Sequence, residues 1–340
     1  MFALKSLLLL YIVAIALAEN SCSQDSLQNQ HSLNTNDLLF SLYLKAYGKE
    51  YCDDQEYQKR QKLFENSLKI ISDLSEQHPN TKFGLNHISD WTDEERENLY
   101  GFRGDLLANE TSWLNSQPYV PQGNAPESLD WRQQGLVTKV KDQGTCMSCY
   151  VFSAIGNIEG QHAKKHKKLY SLSEQQGLDC DPASMKCRTG GLPIRVYQAL
   201  AKQGGSVEES AYPYVGREGR CSTDSRKIVV KVKGGQMLRI ANEEALKDAL
   251  YNYGPLSIGM TFKVPALEKY RGGIADPGCN PRVVADHAVL LVGYGRENNT
   301  PFWIIKNSWS SNWGEAGYLR LIRGKNACHV SDIVTTATIA

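Results

Sequence analysis

The chain has 340 residues, a hydrophobic fraction of 41% and a formal net charge of +1, so it has room for two or more globular domains of ordinary composition. That balance of charge gives no overall footprint for nucleic acid or an anionic membrane. No apolar run reaches the roughly 20 residues that a membrane-spanning helix needs, and the lack of internal repeats and low-complexity tracts sets repeat architectures aside.

In chain order, the first feature is Lys5 ahead of an apolar run from Leu7 to Leu17 that ends in Ala16-Leu17-Ala18. This is the layout of a signal peptide over residues 1–18, with cleavage after Ala18, and it predicts a soluble product in the secretory pathway. From about Asn36 to Phe102 the sequence is charged and helical. Tyr57, Phe64, Leu68, Ile71 and Leu74 recur at helical spacing until His78-Pro79-Asn80 stops them, which predicts one long amphipathic helix. Glu56 and Arg60 stand four apart on it and can pair, for about 0.3 to 0.5 kcal/mol if exposed. Thr92-Asp93-Glu94-Glu95 reads as a capping box opening a shorter helix. A helical segment of this size is marginal alone and is expected to dock on a partner. The stretch from Gly104 to Asn124, with Pro118 and Pro121 and little apolar periodicity, is expected to be an exposed, easily cut linker.

The stretch from Ala125 to Ala340 carries the main core. A helix is expected from about Cys149, with Val151, Phe152, Ile155 and Ile158 on its buried face. Leu256 to Met260, Ala288 to Tyr294, Phe302 to Asn307 and Tyr318 to Ile322 read as antiparallel strands. A helical half followed by a β half predicts an α+β fold of two lobes, with a cleft where groups from both can meet. This stretch holds Cys146, Cys149, Cys180, Cys187, Cys221, Cys279 and Cys328. The number is odd, so one thiol stays free or pairs elsewhere. In an exported protein the other six should form disulfides, each typically stabilising by about 2 to 4 kcal/mol. The count alone does not say which cysteine is left over.

Gln143-Gly144 before the paired cysteines, Asp130-Trp131-Arg132 upstream, Asp286-His287-Ala288-Val289 and Lys306-Asn307-Ser308-Trp309 together resemble the papain family of cysteine proteases. Glu56, Arg60, Phe64 and Ile71 match the interspersed prosegment signature of its cathepsin L-like members, and Gly84-x-Asn86-x-Ile88-x-Asp90 resembles their second pro-motif. The resemblance implies a papain-like fold, with a helical left lobe and a barrel-like antiparallel right lobe behind a helical inhibitory prodomain. Its divisions are a propeptide with linker over 19–124 and a peptidase domain over 125–340. It also implies disulfides Cys146–Cys187, Cys180–Cys221 and Cys279–Cys328, which leaves Cys149 as the thiol. No insertion resembles the occluding loop of cathepsin B, which favours an endopeptidase over a dipeptidase.

On this resemblance Cys149 is the nucleophile. A thiol of ordinary pKa, about 8.5, is mostly protonated at working pH, but a helix N-terminus and an imidazolium lower it by several units. His287 would protonate the leaving amine and later activate water. Asn307 would hold the imidazole in one tautomer, Trp309 would shield that bond, and Gln143 would join the Cys149 N–H in an oxyanion hole. Asp286 is expected to point elsewhere along its strand, without a catalytic role. The rival reading of Cys146-Met147-Ser148-Cys149 is a thioredoxin-like dithiol, which leaves His287 and Asn307 without work. No second ligand pair supports a metal site, and no cofactor is implied. A further alternative is a papain-fold protein that binds peptides but cleaves them weakly or not at all.

Departures from the family pattern fall at Met147, Ser310 and His329, each in place of a usual glycine. Tyr150 stands for the commoner tryptophan, and Ser67 and Ser75 for asparagines of the prosegment signature. Met147 stands opposite Gly190 and Gly191 and is expected to narrow the P1 pocket. Ser310 and His329 would strain their turns if φ there is positive. Leu192, Pro193, Gly259, Ala285 and Ile333 align with the S2 lining of the family. All are apolar or small, so Leu, Phe or Val is expected at P2, and Arg is disfavoured because an unpaired buried charge is costly. The resemblance further implies protein and peptide substrates, the enzyme's own propeptide as intramolecular inhibitor, cystatin-type inhibitors, a monomer, and a lysosomal or extracellular site of action. Acid is expected to loosen the prosegment through Asp90 if that residue is paired. Asn109 and Asn298 head sequons that suit glycosylation in an exported chain.

Overall fold

The computed structural model describes residues 35–110, 116 and 118–340; the expected signal peptide lies outside them, as does part of the linker. The chain forms two compact units, one drawn from residues up to Asp73 with Gly84–Thr92 and the other from Leu74–Phe83 with Asp93–Ala340.

In the first unit, α1 (Thr35–Tyr47) and most of α2 (Asp54–Gln77) bury Phe40, Tyr43 and Phe64 against each other. The long helix is the predicted one, ended where His78-Pro79 begins. Arg60 lies against its helix, donating through Nε to Glu56 Oε1 at 2.6 Å, and reaches the Asp90 carbonyl at 3.0 Å. Ser67, in place of an asparagine, donates to the Ser89 carbonyl at 2.5 Å. Asp90 is fully buried and accepts from Tyr43 Oη and Tyr51 Oη, both at 2.8 Å, and from Lys49. The expected pairing of Asp90 is therefore present.

The second unit opens with β1 (Thr81–Phe83), the short α3 (Asp93–Glu97) and a 3-10 turn at Gly104–Asn109, and continues with β2 (Leu129–Asp130). Then come α4 (Cys149–His166), α5 (Glu174–Cys180), α6 (Lys186–Thr189) and α7 (Pro193–Lys202). The second half supplies β3 (Ser206–Val207), β4 (Ile228–Val230), β5 (Val232–Leu238), α8 (Glu243–Tyr253), β6 (Leu256–Met260) and α9 (Pro265–Glu268). It ends with β7 (Tyr270–Ala275), β8 (His287–Glu297), β9 (Thr300–Lys306), β10 (Tyr318–Ile322) and β11 (Ile333–Ile339). The main sheet runs β1-β7-β10-β9-β8-β6-β11-β5, with β2 paired to β8. Its inner face and α7 pack on α4, whose Val151, Ala154, Ile155 and Ile158 are wholly buried. Fourteen of the 18 residues of α4 are buried, so this helix is a central element and not a one-faced surface helix.

The linker departs from expectation. Its start folds into the 3-10 turn, and residues 118–123 are tied down although their side chains are largely exposed. Tyr119 N donates to the Arg239 carbonyl at 2.9 Å, Tyr119 Oη donates to the Asp248 carboxylate, and Gln122 N and Gly123 N donate to it at 2.9 and 2.8 Å. A buried carboxylate on α8 gathers backbone donors that composition alone would leave in water. The departures at Ser310 and His329 do sit at left-handed backbone, with φ of 57° and 64°.

Candidate active site

Cys149 begins α4 after Ser148, whose side chain makes no cap bond, and it is fully buried. His287 opens β8, and β9 ends just before Asn307, so antiparallel pairing of β8 with β9 brings the imidazole and the amide together. His287 Nε2 lies 2.8 Å from Asn307 Oδ1, which also accepts from Ser308 N at 2.8 Å. An oxygen that takes two donors makes Nε2 the protonated nitrogen and leaves the lone pair on Nδ1. The Trp309 ring lies 5.0 Å from the imidazole, with Phe262 at 4.8 Å and Tyr100 at 6.2 Å. Gln143 is oriented from both ends: its backbone N donates to the Ser308 carbonyl at 2.8 Å, and its Oε1 accepts from Ser308 Oγ at 2.7 Å. Its amide nitrogen is thereby aimed at the carbonyls of Cys146 and Leu99, 3.0 and 3.2 Å away.

A strap from Leu99 to Arg103 closes this cleft. Gly101 N donates to Cys149 Sγ at 3.3 Å. Gly191 N donates to the Gly101 carbonyl at 2.9 Å, Arg103 N to the Gly191 carbonyl at 3.1 Å, and Phe102 N to the Asp286 carbonyl at 3.0 Å. Phe102 pairs with Gly191 in the parallel sense. Room for the strap depends on small residues: a Cβ on Gly101 would stand 2.0 Å from the Met147 carbonyl oxygen, and one on Gly190 would stand 1.8 Å from that of Gly101. The Phe102 ring lies over Gly259, where a Cβ would meet it at 2.6 Å. Around it the apolar cluster includes Leu192, Ala285 and the half-buried Ile333; Pro193 is buried at the start of α7.

The strap reverses the expected electrostatics. Burial pushes the Cys149 thiol up to about 12, with only partial relief from the backbone of Ala288 and Gly101. Burial likewise holds His287 down to about 4, against the bonds with Asn307 and the backbone of Leu99. The depressed thiol expected from the sequence is therefore not what the closed form holds, because taking both groups out of water favours the neutral pair. Asp286 does point away from the imidazole. Its carboxylate accepts from Phe262 N and Lys263 N at 2.8 and 3.3 Å, and burial raises it to about 6.

Disulfides join Cys146 to Cys187, Cys180 to Cys221 and Cys279 to Cys328, as the resemblance implied, and Cys149 is the free cysteine among the described residues. Asn109 and Asn298 are both exposed. Sequence reasoning missed the roles of Ser308, Phe262 and the strap residues Tyr100, Gly101 and Phe102. Ser308 sat inside a quoted motif, whereas nothing in Tyr100-Gly101-Phe102 marks it as a plug.

Redox exchange does not suit this arrangement, since Cys146 is committed to Cys187 and the remaining thiol lies beside the residue that follows His287. The class it defines is a cysteine protease held shut by its own N-terminal segment. The family models "Papain family cysteine protease" and "Cathepsin propeptide inhibitor domain (I29)" match residues 125–338 and 40–96. The chain belongs to the papain family of cysteine proteases. Over 314 residues it is 42% identical to the viral cathepsin of Heliothis zea nuclear polyhedrosis virus, across 88% of this chain and 84% of that protein. The solved structure of digestive procathepsin L 3 from Tenebrio molitor larval midgut superposes with a TM-score of 0.79 at 30% identity, covering 90% of this chain and all of that one. For the procathepsin L2 proteinase of the same source the TM-score is 0.81 at 29% identity, over 89% and 99% of the two chains.

Proposed function

We propose that Cys149 is the nucleophile and His287 the acid and base of a peptidase whose propeptide covers residues 19–124 and whose catalytic domain covers 125–340. Once the strap leaves, water reaches the cleft, and a proton can pass from Sγ to Nδ1 to form the ion pair. The thiolate attacks the scissile carbonyl carbon; the oxygen takes the negative charge against the Gln143 amide and the Cys149 N–H. The C–N bond breaks as His287 gives its proton to the leaving amine. His287 then takes a proton from water, which attacks the thioester and releases the acid and the thiol. Asn307 fixes the imidazole, and Trp309 keeps water from the bond between them. The observation that carries this reading is the Gly101 N–H placed on Cys149 Sγ, with the Leu99 carbonyl on the Gln143 donor: the strap fills the positions that a substrate needs.

The Phe102 ring against Gly259 supports an S2 pocket formed with Leu192, Pro193, Ala285 and Ile333, one that takes Leu, Phe or Val at P2. Met147, beside Gly190 and Gly191, borders the neighbouring P1 site. Protein substrates, cystatin-type inhibitors, a monomeric state, a lysosomal or extracellular location, and glycans on Asn109 and Asn298 complete the proposal. An epoxide that alkylates activated thiolates is expected to label the acid-treated enzyme at Cys149 and to leave the untreated precursor unlabelled. Absence of labelling after acid would favour a peptide-binding protein without activity. A P2 peptide library cleaved equally well with Arg would overturn the pocket assignment.

A further inference from the structure

Asp248, buried on α8, takes no part in the catalytic chemistry, yet both of its carboxylate oxygens face the linker. Oδ1 accepts from Tyr119 Oη and from Gln122 N at 2.9 Å, and Oδ2 accepts from Gly123 N at 2.8 Å. Asn252, one turn further along α8, braces the same stretch, donating to Tyr119 Oη at 3.3 Å and to Asn124 Oδ1 at 3.2 Å. At the start of the stretch Tyr119 N donates to the Arg239 carbonyl at 2.9 Å, and Pro118 bridges to Arg239 in the parallel sense. The Tyr119 ring stands 6.1 Å from that of Tyr253. All of these partners belong to the catalytic domain, and none is a residue that the strap contacts.

Exposed side chains at Val120, Pro121 and Gln122 make this stretch look easy to cut. A protease, however, takes its substrate as an extended strand, so a bond is cut only when the backbone around it leaves the surface, and the rate follows the population of that open form. Backbone N–H groups on a carboxylate make hydrogen bonds roughly twice as strong as neutral ones, which keeps the open population of residues 118–124 low. Acid that releases the strap does not release this anchorage. Burial works against the ionised form of Asp248, but the bonds from Tyr119, Gln122, Gly123 and Asn252 outweigh it and hold the carboxyl below the usual carboxylate range. Asp248 therefore stays ionised through the range in which His287 takes up its proton. We infer that maturation cuts the chain ahead of Pro118, and that residues 118–124 remain on the mature enzyme as an N-terminal brace clamped by Asp248. This rests on the zymogen reading above and narrows it, since the released propeptide then ends before the linker does. The step is hydrolysis of one peptide bond: water adds across it, leaving a carboxylate on the released segment and an amine at the new N-terminus.

The test uses the full-length precursor carrying Cys149→Ala, which does not cut itself, digested in mild acid with a broad-specificity protease. The N-terminus of the surviving catalytic fragment is read by intact mass and by N-terminal sequencing, and is expected at residue 118 or before. Asp248→Ala should move it past residue 119 and raise the rate of cutting there by about tenfold or more, through loss of hydrogen bonds to a charged group. Tyr119→Ala, which changes only the linker, should move it the same way and decides the matter if thermal melts show Asp248→Ala unfolded. Val120→Ala, at a side chain 76% exposed, should leave it in place. Wild-type enzyme that matures by itself should begin at residue 118 or before as well. A wild-type fragment or self-matured enzyme that begins after residue 118, or no shift in the folded variants, overturns the inference. A precursor that never matures by itself but yields the expected fragment, with the expected shifts, supports the clamp and counts against the proposed activity instead.

Discussion

The Gly101 N–H points at Cys149 Sγ from 3.3 Å, and the residue that supplies it is one that only glycine can be. A Cβ at residue 101 would run into the Met147 backbone, and a Cβ at residue 190 would run into that of Gly101. The strap thus reaches the thiol because two backbones can pass within contact distance, and the added bonds to Gly191 and Asp286 hold it across the cleft.

Gly101→Ala should therefore weaken closure more than an ordinary surface substitution, by roughly 1 to 3 kcal/mol, the usual cost of overpacking a close contact. The expected result is thiol labelling of the precursor near neutral pH, where the wild type stays unlabelled. Equal labelling rates for the two proteins would show that the strap contributes little to latency.

Acid should open the precursor through His287 as well. Its pKa in the closed form is held to about 4, against an ordinary 6.5, so the closed form binds fewer protons than the open one. Closure is then at full strength above about pH 6.5 and is lost as pH falls toward 4, by up to about 3 kcal/mol. Asp286, raised to about 6, has the opposite sign for global unfolding. Its carboxylate bonds run to Phe262 and Lys263 and survive opening of the strap, so it should change the opening step less. With Cys149→Ala to prevent self-cleavage, the fraction of precursor cut by an added protease should rise between pH 6.5 and 4. A profile unchanged by His287→Gln would assign the opening to other groups.

The first unit offers a second route. Asp90→Asn removes the charge that holds Lys49 while keeping the shape of the side chain, and breaking a buried pair from one side costs about 3 to 5 kcal/mol. The variant precursor should mature at higher pH than wild type, followed by the appearance of mature enzyme on gels. Identical pH profiles would mean that this unit can loosen without releasing the strap.

Much of this architecture was legible in the sequence because its signals are local. The strands Leu256–Met260 and Tyr318–Ile322 match their apolar runs residue for residue, and the long helix ends before His78-Pro79. Cys149, His287 and Asn307, the proposed nucleophile, base and orienting amide, stood in motifs whose order carried the reading. What was not legible arises from partners distant in sequence. Asp248 anchors residues 119–123 from about 125 positions away, so the linker gave no sign of being held. The plug formed by Phe102 depends on a pocket floor at Gly259.

The backbone of Met147 lies against the strap, and its carbonyl oxygen would be 2.0 Å from a Cβ on Gly101. The Met147 atoms nearest that position are all backbone, so the close approach does not depend on the side chain. Met147→Gly should keep latency near wild type while widening the space beside Gly190 and Gly191. Turnover of peptides with bulky P1 residues is expected to rise several-fold, an effect of roughly 1 to 2 kcal/mol for one apolar side chain in a pocket. Peptides with small P1 residues should change little, so the comparison is made as a ratio of kcat/KM values within one enzyme preparation. If the ratio is the same in both proteins, Met147 does not border the P1 site. If the precursor also loses latency, the glycine has loosened residues 146–149, and the P1 effect must be measured on mature enzyme alone.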